Sequence, residues 1–113
     1  MKLEKFGVYL ADLNPRRGTE PGKVRPVVII QTNLLNDSHF STLICPVTTG
    51  VVPQADFLRV HLTARDSGLE KDSDILVNQI RAIDNNRFLK RLGKLGFRHQ
   101  EKLLQNLHIL IFE

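Results

Sequence analysis

The sequence of 113 residues is poor in aromatic side chains and in cysteine: it has no tryptophan, one tyrosine and one cysteine. Aliphatic residues must therefore fill most of the interior. A single cysteine excludes an intrachain disulfide, and no apolar run approaches the roughly 20 residues that cross a bilayer. The N-terminal stretch MKLEKFGVYLADL has no signal-peptide core. These absences predict a protein of the reducing cytoplasm.

Two kinds of site are also missing from the sequence. The four histidines lack the close spacing of metal ligands, so we expect neither a metal nor another cofactor. The glycines lead into strands rather than into a helix, which excludes a Gly-rich phosphate-binding loop. Cys45 lies in an apolar segment with Ile44 and Val47, and we expect it to be a buried small hydrophobe rather than a nucleophile.

What the sequence contains is a series of short apolar segments typical of β-strands. Segment 6–13 is apolar on both alternating faces, as a central strand would be, whereas segment 57–62 predicts one wet face. The predicted strands cover residues 6–13, 27–31, 42–47, 57–62, 74–77 and 81–83. Because no βαβ unit repeats, the pattern predicts one mainly β domain over residues 1–113, an antiparallel barrel or sandwich.

The C-terminal part predicts a helix. Its apolar residues follow one helical stripe, which consists of Leu103, Leu104, Leu107, Leu110 and Ile111. Gly96 stands at the expected N-cap. Because Ile109 and Phe112 fall outside the stripe, the alternative is that the last residues leave the helix and close the sheet. A single turn over residues 84–87, capped by Asp84, is also predicted.

The connections between the predicted strands point to a binding function. Segments 14–24, 33–41 and 48–56 are longer than hairpin turns need, and loops of this length in small domains are often functional. The net charge is +4 and the sequence pI is about 9.6. This balance favours a polyanionic partner such as nucleic acid.

Arg25 and the threonine pair Thr48–Thr49 are the leading candidates for phosphate contacts. Pro26 restricts Arg25 to extended conformations and so fixes its direction, and a guanidinium fork suits phosphate oxygens. The alternative is a surface ion pair with Glu20 or another acid. Glu20 is itself a candidate base or nucleotide-positioning group or, alternatively, a salt-bridge residue within the loop. The threonine hydroxyls can donate to phosphoryl oxygens or, alternatively, make local turn hydrogen bonds.

Three segments together resemble the MazF/PemK (Kid) family of toxin ribonucleases. VYLADLNPRRGTEPGKVRPVVIIQ is similar to that family's N-terminal signature, and ICPVTT and ILVNQIRAID are similar to its second and third motifs, in the same order. The resemblance covers nearly the whole chain. It implies an SH3-like antiparallel β-barrel with a C-terminal helix, of the CcdB/MazF/PemK kind, that forms a homodimer. It also implies a cognate antitoxin whose acidic, disordered tail occupies the RNA groove.

The same resemblance implies roles for individual residues. Arg25 matches the family's catalytic arginine, Thr48 its active-site threonine and Glu20 a nearby acid. The implied RNA-binding residues are Arg16, Arg17, Lys23, Thr49, Asn78, Gln79 and Arg81. Gly7 and Asn78 stand where relatives carry acids, which leaves the identity of the general base open.

The implied reaction is metal-independent, sequence-specific cleavage of single-stranded RNA such as mRNA. The 2′-hydroxyl, which DNA lacks, attacks the adjacent phosphodiester and leaves a 2′,3′-cyclic phosphate and a 5′-hydroxyl. Two other functions stay open: a DNA gyrase-poisoning toxin of the CcdB type and a non-catalytic RNA-binding barrel. The CcdB toxins engage gyrase through a C-terminal end that contains tryptophan, which this sequence lacks.

Overall fold

A computed structural model describes residues 1–15, 18–19 and 23–113. Among these residues, the strands are β1 (Gly7–Asp12), β2 (Val24–Ile29), β3 (Ser41–Thr48), β4 (Arg59–Leu62), β5 (Ser73–Leu76), β6 (Arg81–Asp84) and β7 (Phe88–Lys94). One helix, α1 (Phe97–Phe112), follows the last strand. Short 3-10 turns lie at Asp66–Gly68, Val77–Gln79 and Asn85–Arg87.

The strands pair antiparallel in the order β4-β5-β3-β2-β1-β7, and β6 pairs with the first half of β3. The long strand β3 therefore connects three partners, β2, β5 and β6. This architecture confirms the mainly β fold class with a C-terminal helix. Within the described ranges, β4 and β7 end the strand path without pairing with each other, so the sheet is open where a closed barrel was expected.

Apolar clusters cover both faces of the central strands. The cluster that receives α1 contains, among others, Val8, Val28, Val60, Ile75 and Leu103. The cluster on the other face contains, among others, Tyr9, Ala11, Val27, Ile29, Ile44 and Ile83. Alternate residues of β1 and β2 enter opposite clusters, which confirms that segment 6–13 is a central strand.

Three strands differ by two residues or more from the sequence-based expectation. β4 begins at Arg59 rather than at residue 57, because Leu58 has a left-handed backbone that a strand does not accommodate. The sequence does not predict β7, because its residues FLKRLGK include three cations and only Phe88 is buried. At the end of the strand path, β7 pairs with β1 alone among the strands of the described residues, and an edge strand needs little apolar surface. β2 begins at Val24 rather than at Val27, so Arg25 and Pro26 belong to the strand itself.

The C-terminal helix and the turn before β7 follow the prediction. Gly96 is the N-cap of α1, and the helix continues to Phe112, so its last residues do not close the sheet. The Asp84 side chain caps the turn Asn85–Arg87. No helix in the described part of the chain has the length and apolarity that crossing a membrane requires.

The predicted apolar stripe of α1 is only partly covered. Leu103 is fully buried and Leu107 is half-buried, as the stripe predicts. Leu104, Leu110 and Ile111 are instead exposed to solvent. These exposed residues form an apolar surface on α1.

Asn106, a polar residue, is buried at the contact between α1 and the sheet. Its Oδ1 accepts a hydrogen bond of 2.8 Å from the backbone amide of Leu58, and its Nδ2 donates to the carbonyl of Lys102 at 2.9 Å. Leu58 has a left-handed backbone, with φ of 66°, at the entrance to β4. Asn106 thus fixes the turn that leads from the loop into β4.

We expect Asn106→Ala to lower the free energy of unfolding by about 1–3 kcal/mol, because the amide of Leu58 loses its acceptor. Urea unfolding of the purified protein measures this change. Gln105→Ala, at an exposed neighbouring position of the same helix, is the matched control and should unfold like the parent. An unchanged midpoint for Asn106→Ala would contradict this role.

Candidate active site

The pairing of β2 with β3 relates Arg25 to Thr48. Val27 lies opposite Pro46, Val28 opposite Cys45 and Ile29 opposite Ile44 in this ladder. When the register is continued by two residues, Arg25 lies opposite Thr48, with both residues on the face that carries Val27 and Ile44. Neighbouring strands lie about 5 Å apart, so the two side chains share one end of the sheet.

The hydroxyl group of Thr48 takes part in a local turn. Its Oγ1 accepts a hydrogen bond of 3.0 Å from the backbone amide of Gly50. Because this bond uses an oxygen lone pair, the hydroxyl hydrogen can still be donated to a ligand. The local turn bond and a ligand contact are therefore compatible. Thr49, the next residue, is exposed beside it.

The predicted basic loop is described only in part. Arg16, Arg17 and Glu20 lie outside the described residues. Lys23 is exposed and has a left-handed backbone with φ of 69°.

The ends of this loop are held together by hydrogen bonds. The amide of Lys23 donates to Asn14 Oδ1 at 2.8 Å, and the amide of Leu13 donates to the carbonyl of Lys23 at 2.8 Å. The guanidinium of Arg87 donates to the carbonyl of Asp12 at 2.9 Å and to that of Asn14. Sequence analysis does not identify Arg87, because it lies 73 residues from Asn14 in the chain and belongs to no motif.

Residues of the third motif line a groove beside β4. Asn78 and Gln79 belong to the 3-10 turn Val77–Gln79, and the groove has a volume of about 430 Å³. Its lining residues are Thr19, Ala55, Phe57, Leu58, Arg59, Leu76, Asn78 and Gln79. Phe57 is 66% exposed, so an aromatic face is available there. Arg81 lies on β6 opposite Ile44.

A buried carboxylate links this groove to Thr48. Asp74 on β5 lies opposite Thr48 on β3, and its side chain has no solvent exposure. It accepts hydrogen bonds from Arg59 at 2.9 Å and from the amide of Val52 at 3.0 Å, and it contacts His61 Nδ1 at 2.6 Å. We call Arg59, His61 and Asp74 the Asp74 cluster.

The electrostatics of the Asp74 cluster favour ionised groups. Burial by itself raises the pKa of Asp74, but hydrogen bonds from Val52, Arg59 and His61 outweigh it and hold that pKa below its usual range. The hydrogen bond to Asp74 raises the pKa of His61 above its ordinary value. Sequence analysis finds no site at His61 and overlooks Asp74, because an acid in a short apolar strand gives no signal until its partners on β4 are known.

Cys45 and the histidines do not form a metal site in the described ranges. Cys45 is fully buried, as expected, and burial raises the pKa of its thiol to about 12, so it is not a ready nucleophile. Across residues 1–15, 18–19 and 23–113, no three His, Cys, Asp or Glu side chains come close enough to hold a metal ion.

The arrangement is suited to binding a phosphodiester chain. The β2–β3 register, continued by two residues, aligns a permanent cation with a hydroxyl donor. The Asp74 cluster connects the hydroxyl residue, Thr48, to a groove with amide side chains and an exposed ring. Cations and hydroxyls bind phosphate oxygens, whereas amides and aromatic rings contact bases. The described part of this surface therefore carries the kinds of group that contact phosphates and bases.

Known proteins share this sequence and fold. The chain is 38% identical over 103 residues to the endoribonuclease MazF of Staphylococcus epidermidis, which covers 91% of this chain and 83% of the relative. It is 33% identical over 109 residues to the endoribonuclease EndoA of Bacillus subtilis (strain 168), and this alignment covers 96% of this chain and 94% of the relative. In both cases the match extends over most of the two proteins.

Solved structures support the same fold at lower identity. The crystal structure of MazF (Form-I) from Deinococcus radiodurans superposes with a TM-score of 0.84 at 19% identity, over 100% of this chain and 99% of the other. A MazE–MazF structure (Form-II) from the same organism gives 0.77 at 16% identity, over 99% and 97%.

A family model covers almost the whole sequence. The model for the PemK-like, MazF-like toxin of type II toxin–antitoxin systems matches residues 4–111. This match includes all three motifs and every predicted site residue. Together with two curated relatives above 30% identity, it shows that the chain belongs to the PemK-like, MazF-like family of toxins.

Proposed function

We propose that this chain is the toxin of a toxin–antitoxin system and an endoribonuclease that cleaves single-stranded RNA at preferred sequences without a metal ion. Endoribonuclease is the activity named for both curated relatives, and the family is one of toxins. The observation that carries the residue-level proposal is the β2–β3 register, which directs Arg25 and Thr48 to one end of the sheet. Residues 1–113 act in this proposal as one catalytic domain.

The reaction is the attack of the 2′-hydroxyl on its own phosphodiester. A bond forms between O2′ and phosphorus, and the bond between phosphorus and O5′ breaks, leaving a 2′,3′-cyclic phosphate and a 5′-hydroxyl. Arg25 stabilises the charge that develops on the phosphoryl oxygens, since its guanidinium cannot lose its proton. Thr48 donates to a non-bridging oxygen. Glu20 is the candidate that accepts the 2′-hydroxyl proton, and the departing O5′ takes a proton from water.

The RNA strand runs from this point along the groove of the third motif. Asn78 and Gln79 contact base edges, and Phe57 provides a ring for base stacking. The remaining contacts are phosphate contacts, made by Arg16, Arg17, Lys23, Thr49 and Arg81. The four cationic residues in this set make RNA affinity dependent on salt concentration.

The partners follow from family membership and from the exposed helix end. The chain binds an antitoxin, because its family is that of the toxins of type II toxin–antitoxin systems. We further propose an acidic, disordered antitoxin tail that occupies the basic RNA groove. The exposed apolar residues Leu104, Leu110 and Ile111 of α1 favour a homodimer, because monomers rarely leave such patches uncovered. The reaction takes place in the cytoplasm, where mRNA is translated.

The comparisons favour neither of the other functions. Both curated relatives are named endoribonucleases, which a gyrase poison and a non-catalytic RNA-binding barrel would not be. An RNA-cleavage assay without gyrase separates the endoribonuclease from both alternatives, because only a ribonuclease shortens RNA in that mixture.

We expect the purified protein to cut a long defined transcript at a small set of sites, equally well in the presence and absence of EDTA. EDTA should have no effect because the developing phosphoryl charge is stabilised by the guanidinium of Arg25 and not by a metal ion. Mapping the 5′-ends and testing them for a free hydroxyl measures site choice and chemistry together. Loss of cleavage in EDTA, with recovery on adding a divalent metal, would overturn the metal-independent mechanism.

A further inference from the structure

The ring of His61 makes two short contacts that together define its charge. Nδ1 lies 2.6 Å from Asp74 Oδ1, and Nε2 lies 2.8 Å from the carbonyl oxygen of Ala55. A carbonyl oxygen can only accept a hydrogen bond. An ionised carboxylate is likewise an acceptor only, and Asp74 also accepts hydrogen bonds from Arg59 and from the amide of Val52. Both ring nitrogens must therefore donate, and the ring must be the imidazolium.

These contacts hold the segment 50–55, which connects Thr48 to the groove. Ala55 is held by His61, Val52 by Asp74, and the carbonyl of Gly50 by Arg59 at 2.8 Å. The amide of the same Gly50 donates to Thr48 Oγ1. A continuous series of hydrogen bonds thus runs from His61 through Asp74, Arg59 and Gly50 to the threonine hydroxyl.

We propose that His61, as an imidazolium bound to Asp74, is a positioning residue that holds segment 50–55 and the Thr48 hydroxyl in place for RNA cleavage. This inference rests on the proposed function, because Thr48 acts there on the scissile phosphate. It further makes cleavage depend on the charge of one histidine. When the ring loses its proton, one of its two nitrogens stops donating, and either Ala55 or Asp74 loses a bond.

The direction of this dependence follows from the groups that face His61. Within the described residues these are Asp74 on β5, Arg59 on β4, which neutralises part of the Asp74 charge, and Asp56 in the preceding loop. The raised pKa of His61 means that the folded state binds the proton more tightly than the unfolded state. The contribution of protonated His61 to the stability of the folded state is complete below the ordinary histidine pKa of about 6.5. It is lost as the pH rises through the higher pKa of His61 in the folded protein.

We expect kcat for cleavage of an RNA oligonucleotide to fall about tenfold between roughly pH 6 and pH 9, as the threonine hydroxyl loses its fixed position. His61→Gln should have the lower rate throughout, without this fall. His61→Lys, which keeps a positive charge, should keep the higher rate to higher pH. His39→Gln is the matched control: His39 is exposed, and its backbone carbonyl rather than its ring accepts a bond from Asn85.

A second measurement does not depend on cleavage. NMR titration of the intact wild-type protein should show the amide signals of Gly50, Val52 and Ala55 shifting with the same midpoint as the His61 ring. The inference is overturned if His61→Gln keeps the alkaline fall of the parent, or if those amides do not follow the ring. If the protein cleaves no RNA but the amides follow the ring, the proposed function fails while the positioning of segment 50–55 stands.

Discussion

Arg25→Ala is expected to lower the rate of RNA cleavage by a hundredfold or more while the protein stays folded. Removing one well-aimed donor from a charge-stabilising site has an effect on the order of a hundred- to a thousandfold. Arg25 is half-buried near the start of β2, with Pro26 after it, so its direction is fixed before RNA binds. The measurement is kcat/KM on a short RNA oligonucleotide, with thermal unfolding recorded for both proteins.

Two further variants make this result specific. Arg25→Lys keeps the charge but loses the planar fork and should recover only part of the rate. Arg98→Ala removes an exposed arginine from the first turn of α1 and is the control for a change in net charge. If Arg25→Ala cut RNA at the parental rate, another group would have to stabilise the phosphoryl charge.

A single 2′-deoxy substitution in the nucleotide on the 5′ side of the scissile phosphate is expected to abolish cleavage at that site. The hydroxyl is the nucleophile in the proposed reaction, so a strand without it has no attacking group. Binding should change little, because the phosphates that contact the cations remain. Gel analysis of matched oligonucleotides after incubation with the protein measures the loss directly.

The control is the same oligonucleotide with its deoxy position moved one nucleotide downstream, which should be cleaved at the original site. Cleavage of the first oligonucleotide would imply that water, not the ribose, attacks the phosphorus. In that case the product would carry a linear phosphate, and Glu20 would have to activate water instead.

Much of the fold and part of the candidate site can be predicted from sequence, because local patterns determine them. The alternation of Arg59 to Leu62, the turn capped by Asp84 and the helix after Gly96 depend on neighbouring residues alone. The partnership of Arg25 and Thr48 is suggested by their motifs and is consistent with the β2–β3 register.

Contacts between distant segments cannot be predicted in this way. Asp74 gives no signal in the sequence SDIL, since its partners Arg59 and His61 lie 15 and 13 residues earlier. Arg87 contacts Asn14, at the start of the basic loop, although the two residues are 73 positions apart in the sequence. Strand β7 is missed for a related reason, because an edge position relaxes the apolar pattern that identifies a strand.

The closure of the basic loop has a consequence for how such proteins diversify. Because Leu13, Asn14 and Lys23 bind one another across its base, residues between them can change in length and composition without disturbing the pairing of β1 with β2. We therefore expect this segment to tolerate exchange with the corresponding loop of a homologue, provided that the acid at Glu20, the candidate base, is retained. Such a graft is a route to new target sequences.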